Sequence, residues 1–248
     1  MSEAVREAID VAALVEVLWA PRAKTRGPKP AHAREDVLAA AIGIADREGL
    51  SAVSMQRVAE EMGFTKMAVY RYLPGRPELV AAMTDRALGP PPAIPAGADW
   101  RRGLEAWALA AYAMFQSHPW GLEATTGARV IGPNEAAWTE AGLACLRETP
   151  LGGAERLDVL AVITGHLRSM AQQAAGTGSG ASRGGVHEAV LAAGLVGREA
   201  QFPEFARAVA ETALSGGADN GLGFGLACIF DGVAARLAAT GRVDATPA

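Results

Sequence analysis

An all-helical protein is what the sequence predicts, and three observations predict it. Apolar residues recur three and four positions apart through almost all of the 248 residues, the spacing that gathers them on one face of a helix. No sustained alternation of Val, Ile, Thr and aromatic residues marks a strand. Aliphatic residues and alanine dominate a chain that is 50% hydrophobic, enough for one large core or for a small module beside a larger one. Cys145 and Cys228 lie far apart and outside any C-x-x-C spacing. Neither a disulfide framework nor a thiolate metal site is expected, and a reducing compartment is the default.

In chain order, the first apolar run is Val11 to Trp19, interrupted by Glu16. It is too short to span a bilayer, and the residues before it are mostly acidic, unlike a secretory signal. A short amphipathic helix packed on the body is expected. PRAKTRGPKP follows, Pro21 to Pro30, where prolines and a glycine forbid a continuing helix. Its Arg22, Lys24, Arg26 and Lys29 suit an arm that tracks phosphates or enters a minor groove; a solvated linker reads equally well. Arg34 to Glu48 is an amphipathic helix with Val37, Leu38, Ala41, Ile42 and Ala45 inward and Gly49 closing it.

The stretch that organises the chain is SMQRVAEEMGFTKMAVYRY, Ser54 to Tyr72. It reads as two short helices crossing steeply through a tight turn. Ala59 lets the backbones approach, Gly63 allows the turn, and Val69 fills the seam. Val58, Met62, Phe64 and Tyr72 complete the apolar side, while Gln56, Arg57, Glu60, Glu61, Lys66 and Arg71 stay polar. Ser54 and Thr65 stand where each helix begins and are expected to cap it with a hydroxyl. The second helix gathers Thr65, Lys66, Tyr70, Arg71 and Tyr72 with no acidic residue among them. Hydroxyl, phenol, ammonium and guanidinium groups are the donors used on phosphates and base edges. Pro74-Gly75 ends this helix, and Arg76-Pro77-Glu78 opens another, with proline and a carboxylate where a helix start favours them.

Net charge is -4, which would oppose nucleic-acid binding if spread evenly. From Ala20 to Arg76, however, ten Lys or Arg stand against six Asp or Glu; residues 1–19 hold one against four, and the remainder twelve against seventeen. A basic module on an acidic body is the asymmetry that phosphate attraction requires.

Residues 33–89, AREDVLAAAIGIADREGLSAVSMQRVAEEMGFTKMAVYRYLPGRPELVAAMTDRALG, resemble the DNA-binding domain of TetR-type transcriptional repressors. A long helix precedes the hairpin, a tyrosine sits near the end of the recognition helix, and Gly-basic-x-Glu-Leu starts the fourth helix. Arg76 stands where a lysine is usual. The resemblance implies a homodimer on a palindromic double-stranded DNA operator, with Lys66 and Met67 at positions that set operator choice. Candidate DNA contacts are Arg26, Lys29, Ser54, Gln56, Thr65, Lys66, Met67, Tyr70, Arg71, Tyr72 and Arg76. Tyr70 and Arg76 are the phosphate clamps, although Tyr70 also reads as a half-buried core ring.

Pro90 to Gly97, PPPAIPAG, is the clear break in the chain. The division expected is an N-terminal helix and basic arm over 1–30, a DNA-binding domain over 31–89, and a ligand-binding and dimerisation domain over 98–240. Asp99 is a plausible cap for a helix from Trp100 to Ser117; His118-Pro119-Trp120 turns the chain, and Gly132-Pro133-Asn134-Glu135 starts a helix to about Arg147. Residues 153–174 and Gly221 to Ala239 read as long helices, with Pro203 to Leu214 between them. The D-W-R, H-P-W and G-P-N elements and FGLACIFDG, Phe224 to Gly232, resemble more loosely the ligand-binding half of the tetracycline-repressor-like branch. There a comparable pair of helices from each subunit forms a four-helix interface, which Gly225, Gly232 and Ala235 would let close tightly.

Within the body, Trp107, Tyr112, Phe115, His118, Trp120, Trp138, His166 and Met170 combine aromatic walls with sparse polar groups, suited to a pocket for an unidentified small-molecule inducer. Satisfied core histidines and packed rings are the plainer reading of each. No H-E-x-x-H, G-x-S-x-G or closely spaced His and carboxylate set is present, so no catalytic residue, metal or cofactor is expected. GTGSGASRGG, Gly176 to Gly185, lacks the spacing and preceding strand of a phosphate cradle and reads as a connection. A cytoplasmic protein without membrane partners is expected. The alternatives are a helical enzyme acting on a small apolar substrate, or an interaction protein that does not bind DNA.

Overall fold

The computed structural model describes residues 10–20, 34–127, 129–176, 193–214 and 220–243. The basic arm with Arg26 and Lys29, and the glycine-serine stretch beyond Gly176, fall outside them. The chain divides into two compact units, Met1–Thr149 and Pro150–Ala248, and the regular structure in both is helical.

In the first unit, α1 spans Val11–Trp19. The Asp10 carboxylate accepts from Ala13 N at 3.0 Å and caps it. Leu14 is its buried residue, and the helix packs against α5, Arg76–Leu88. α2, Arg34–Glu48, buries Val37, Leu38, Ala41, Ile44 and Ala45. The sequence puts Ile42 on this inner stripe; it is only half-buried, and Ile44 is fully enclosed instead. Seven residues make almost two full turns, so Ile44 returns to the direction of Val37 while Ile42 falls to the flank. A single 3-10 turn, Leu50–Ala52, follows Gly49.

α3, Met55–Met62, and α4, Lys66–Tyr70, form the expected hairpin. Ser54 Oγ accepts from Arg57 N at 3.1 Å, capping α3 as its residue type predicts. Gly63 ends α3 in the left-handed region, at φ 68°, where a side chain would be strained. Thr65 differs from expectation. Its backbone is extended at the N-cap position, but its hydroxyl makes no capping bond, and the first turn is closed by Ala68 N donating to Thr65 O at 2.9 Å. Val58, Ala59, Val69, Leu73, Leu79 and Met83 meet the α2 stripe in one core, with Met62, Phe64 and Tyr72 half-buried around it.

α6, Trp100–Ser117, starts at Asp99, whose carboxylate accepts from Arg102 N at 2.8 Å. α7 is the single turn Gly121–Ala124, and α8 spans Pro133–Cys145. α6 lies against α8. Gly103 permits that approach, since a Cβ there would lie 2.9 Å from Cys145 Sγ.

The second unit contains α9, Gly153–Gly176, α10, Pro203–Leu214, and α11, Gly221–Val243. α9 and α11 pack together, burying Leu160, Ile163, Leu167, Leu226, Phe230 and Val233. Gly225 lies directly under the His166 ring, so its lack of a side chain serves a contact within one subunit. Arg236 pairs with Glu155 at 2.8 Å and holds that carboxyl below its ordinary range. Leu157, Val162 and Phe224 remain more than half exposed.

Candidate nucleic-acid interface and its mounting

α4 presents an exposed face with Thr65, Lys66, Met67, Tyr70 and Arg71. Met67 is 73% exposed and Tyr70 36%, and Lys66 Nζ lies 5.8 Å from the centre of the Tyr70 ring, a cation–π arrangement one helical turn apart. Tyr72 turns inward and packs on the core. Two other residues expected at DNA have local partners. Ser54 is the α3 cap, and Gln56 Nε2 donates to Glu60 Oε1 at 2.8 Å.

Two arginines elsewhere on this module, Arg57 and Arg47, are held by carboxylates. Arg57 meets Glu61 at 2.7 Å and Glu48 at 2.9 Å, and Arg47 meets Glu61 at 2.7 Å. These contacts raise the Arg57 pKa and lower that of Glu61, and they join α2 to α3. Arg76 is occupied in another way. Its Nε donates to Val53 O at 2.9 Å and its Nη2 to Leu50 O at 3.1 Å. The guanidinium thereby fastens the start of α5 to the turn that precedes α3.

The far end of α5 is fastened as well. Asp85 Oδ1 accepts from Asn134 N at 3.0 Å and Glu135 N at 3.2 Å, and its Oδ2 accepts from Asn134 Nδ2 at 3.0 Å. A carboxylate from α5 thus caps α8, where the helix dipole favours negative charge. Trp138 Nε1 donates to Gly89 O at 3.0 Å, and Trp107 Nε1 donates to Trp138 O at 2.9 Å. A line of indole donors therefore joins α6 to α8 and α8 to the end of α5. At α2, Asp46 Oδ1 lies 2.7 Å from His118 Nδ1 and accepts from Trp120 Nε1 at 2.6 Å. Trp19 Nε1 of α1 donates to Ile131 O at 2.9 Å, one residue before Gly132.

These bonds place the residues expected around an inducer. Trp107, Tyr112, Phe115, His118, Trp120 and Trp138 belong to the first unit, His166 and Met170 to the second. Trp107 and Trp138 stack edge to face at 6.1 Å. Trp120 is packed in the core around α2, and His118 stands beside it at 5.8 Å. Phe115 is buried; Tyr112 and Met170 are half-buried. His166 Nε2 is 3.1 Å from Leu222 O, an α9–α11 contact. Sequence reasoning singles out Asn134 within G-P-N but misses Asp46 and Asp85. Both lie on helix faces that local pattern marks as solvated, and no local signal separates a cross-chain acceptor from a surface aspartate.

Burial pushes the Asp85 carboxyl above its ordinary value of 3.8, against the hydrogen bonds from Glu135 and Asn134 that favour its charge. With the folded pKa raised, the native state holds the proton more tightly than the unfolded chain. This group's contribution to stability therefore falls as pH rises from about the unfolded value through the raised one. The stability difference between wild type and Asp85→Asn, followed by denaturant titration across that window, should shrink with rising pH; a flat difference would mean that folding leaves the Asp85 pKa unchanged.

Residues 92–237 match the tetracyclin repressor-like C-terminal domain, and residues 37–83 match the bacterial regulatory proteins of the tetR family. The chain belongs to the TetR family. Over 161 residues it is 38% identical to the HTH-type transcriptional repressor DrrR1 of Streptomyces coeruleorubidus, an alignment covering 64% of this chain and 60% of that protein. The chain thus spans about three fifths of that relative's length. Among solved structures, apo ActR from Streptomyces coelicolor superposes with a TM-score of 0.71 at 20% identity, over 87% of this chain and all of that one. ActR in complex with actinorhodin gives 0.70 at 21% identity, over 84% and 99%. These two share the fold.

Proposed function

We propose that this protein is a repressor that binds a palindromic operator as a homodimer and lets go when a small-molecule inducer occupies its body. The observation that carries this reading is the exposed, acid-free face of α4, held on a core that α5 links to α8. Recognition helices of a dimer must stand about 34–36 Å apart to enter successive major grooves. A ligand that prefers a different setting of α5 shifts that separation and with it the affinity for DNA. Residues 31–89 serve as the reading head, 98–240 as the sensing and pairing body, and 1–30 as an extension whose Arg26 and Lys29 add phosphate contacts. His118 and Trp120 act on α2 through Asp46, leaving Trp107, Tyr112, Phe115 and Trp138 as the residues of the first unit nearest an inducer.

The second copy covers the exposed apolar side chains of α9 and α11. Gly221–Thr240 of α11 has the length and composition of a membrane span, with 17% of its most apolar window buried. Packing on α9 and pairing with another subunit account for that composition in a cytoplasmic regulator. ActR has been crystallised with actinorhodin, which makes that compound a first probe here.

Selection of binding sites from random duplex DNA, followed by gel-shift titration, tests the proposal. An enriched palindrome bound as a dimer is expected, with Lys66→Ala changing the selected sequence and Tyr70→Phe weakening all sites by about two- to fivefold. Failure to enrich any site, or equal affinity of wild type and both variants, would sink it.

A further inference from the structure

We infer that Met67 is a specificity-determining residue that reads the C5-methyl group of a thymine in each operator half-site. The inference rests on the DNA-binding reading above and goes beyond it by naming the group that is recognised.

Met67 is the second residue of α4, and the first residues of a recognition helix are the ones that reach base edges. Its side chain is 73% exposed, more than Tyr70 on the same helix and more than any other large apolar side chain among the described residues. Its neighbours on that face are Thr65, Lys66, Tyr70 and Arg71. Tyr70 offers its ring less freely, because the Lys66 ammonium lies 5.8 Å from the ring centre. The apolar character of this face therefore resides mainly in one unbranched thioether.

Duplex DNA offers few partners for such a group. Phosphates and sugars are polar, and the major-groove edges of guanine, cytosine and adenine offer donors, acceptors and bare C–H groups; thymine alone adds a methyl group. A methionine set against a donor or acceptor strips it of water and returns no hydrogen bond. Set against a methyl group it buries apolar surface, and its flexible stem adapts to the groove. In DNA made without modified bases, thymine is the sole carrier of that methyl. Burying one methyl-sized group corresponds to about fourfold in affinity.

The experiment uses the full-length protein and the operator selected from random duplexes. Deoxyuridine, which lacks only the methyl, replaces each thymine in turn, and affinity is measured by fluorescence anisotropy at fixed salt for wild type, Met67→Ala and Met67→Leu. At one thymine per half-site, wild type should lose about fourfold, and about fifteenfold with both half-sites substituted. Met67→Leu should keep most of that discrimination and Met67→Ala should lose it. Indifference of wild type to uracil at every position overturns the inference, and so does an undiminished uracil penalty in Met67→Ala. A selected operator that ignores uracil leaves the repressor reading intact, whereas failure to select any operator removes both. Because Met67 is exposed, the variants should unfold within about 0.5 kcal/mol of wild type; a Met67→Ala that discriminates like wild type counts against the inference whatever its stability.

Discussion

Gly132→Ala should destabilise the first unit by about 3 kcal/mol, lowering the melting temperature by about 6–12 °C. The backbone at Gly132 is extended, with φ -90°, so an alanine meets no conformational strain. The obstacle is space. A Cβ on Gly132 would overlap the Asp85 carboxylate and lie 2.8 Å from the Asp85 Cβ. Asp85 cannot move aside without releasing Asn134 N, Asn134 Nδ2 and Glu135 N, and those donors then lack the acceptor that caps the start of α8. Overpacking and the broken cap fall on the same residue pair, so the two substitutions should be coupled. Asp85→Ala alone should cost about 1–3 kcal/mol. The double variant should lose at least about 1 kcal/mol less than the sum of the singles. Differential scanning calorimetry of all four proteins closes the cycle. Strict additivity would mean that Asp85 and Gly132 do not share the contact.

How legible this arrangement is depends on the range of the interaction concerned. Helix limits such as Arg34–Glu48 and Trp100–Ser117 are set by neighbours within one turn: a cap such as Asp99, a glycine such as Gly49, and apolar spacing. Those signals are local and readable. So is the hairpin, because Ala59, Gly63 and Val69 each have a residue type that their position demands. Lys66 is readable as outward-facing from its charge and spacing, whereas Met67 is placed at the DNA by the family resemblance alone. Thr65 marks a limit of residue-type reasoning, since a hydroxyl at an N-cap position signals a cap without ensuring one. Asp46 meets His118 across 72 residues and Asp85 meets Asn134 across 49. Pairings of that kind are decided by tertiary packing, and nothing within a turn of either aspartate records its partner. The indole line from Trp107 to Trp138 to Gly89 is equally nonlocal, and it turns residues that look like pocket walls into fasteners with committed N–H groups.

Arg76→Ala should lower stability by about 2–4 kcal/mol while leaving the salt dependence of operator binding nearly unchanged. On sequence alone Arg76 is a phosphate clamp, whose removal flattens the dependence of affinity on salt. The structure gives its guanidinium two acceptors, Val53 O and Leu50 O, on residues that are 0% and 6% exposed. Hydrogen bonds from a charged donor contribute about 1.5–3 kcal/mol each, and two on one side chain act as a unit, so the cost of removing both falls below their sum. Leu50 and Val53 flank the turn leading into Ser54, the cap of α3, so the alanine variant should also loosen the setting of the hairpin on α5. Affinity then falls on every sequence alike. A phosphate clamp has a different signature, a change of about 0.9 in the slope of log affinity against log salt for each phosphate no longer neutralised. Arg76→Lys separates the two roles. An ammonium keeps the charge but does not present the planar fork that reaches both carbonyls at once. As a fastener the lysine variant should lose about half the stability that alanine loses and retain the salt slope of wild type; as a clamp it should retain both. A melting temperature unmoved by Arg76→Ala, together with a slope that falls by about 0.9 per subunit, would return Arg76 to the phosphates.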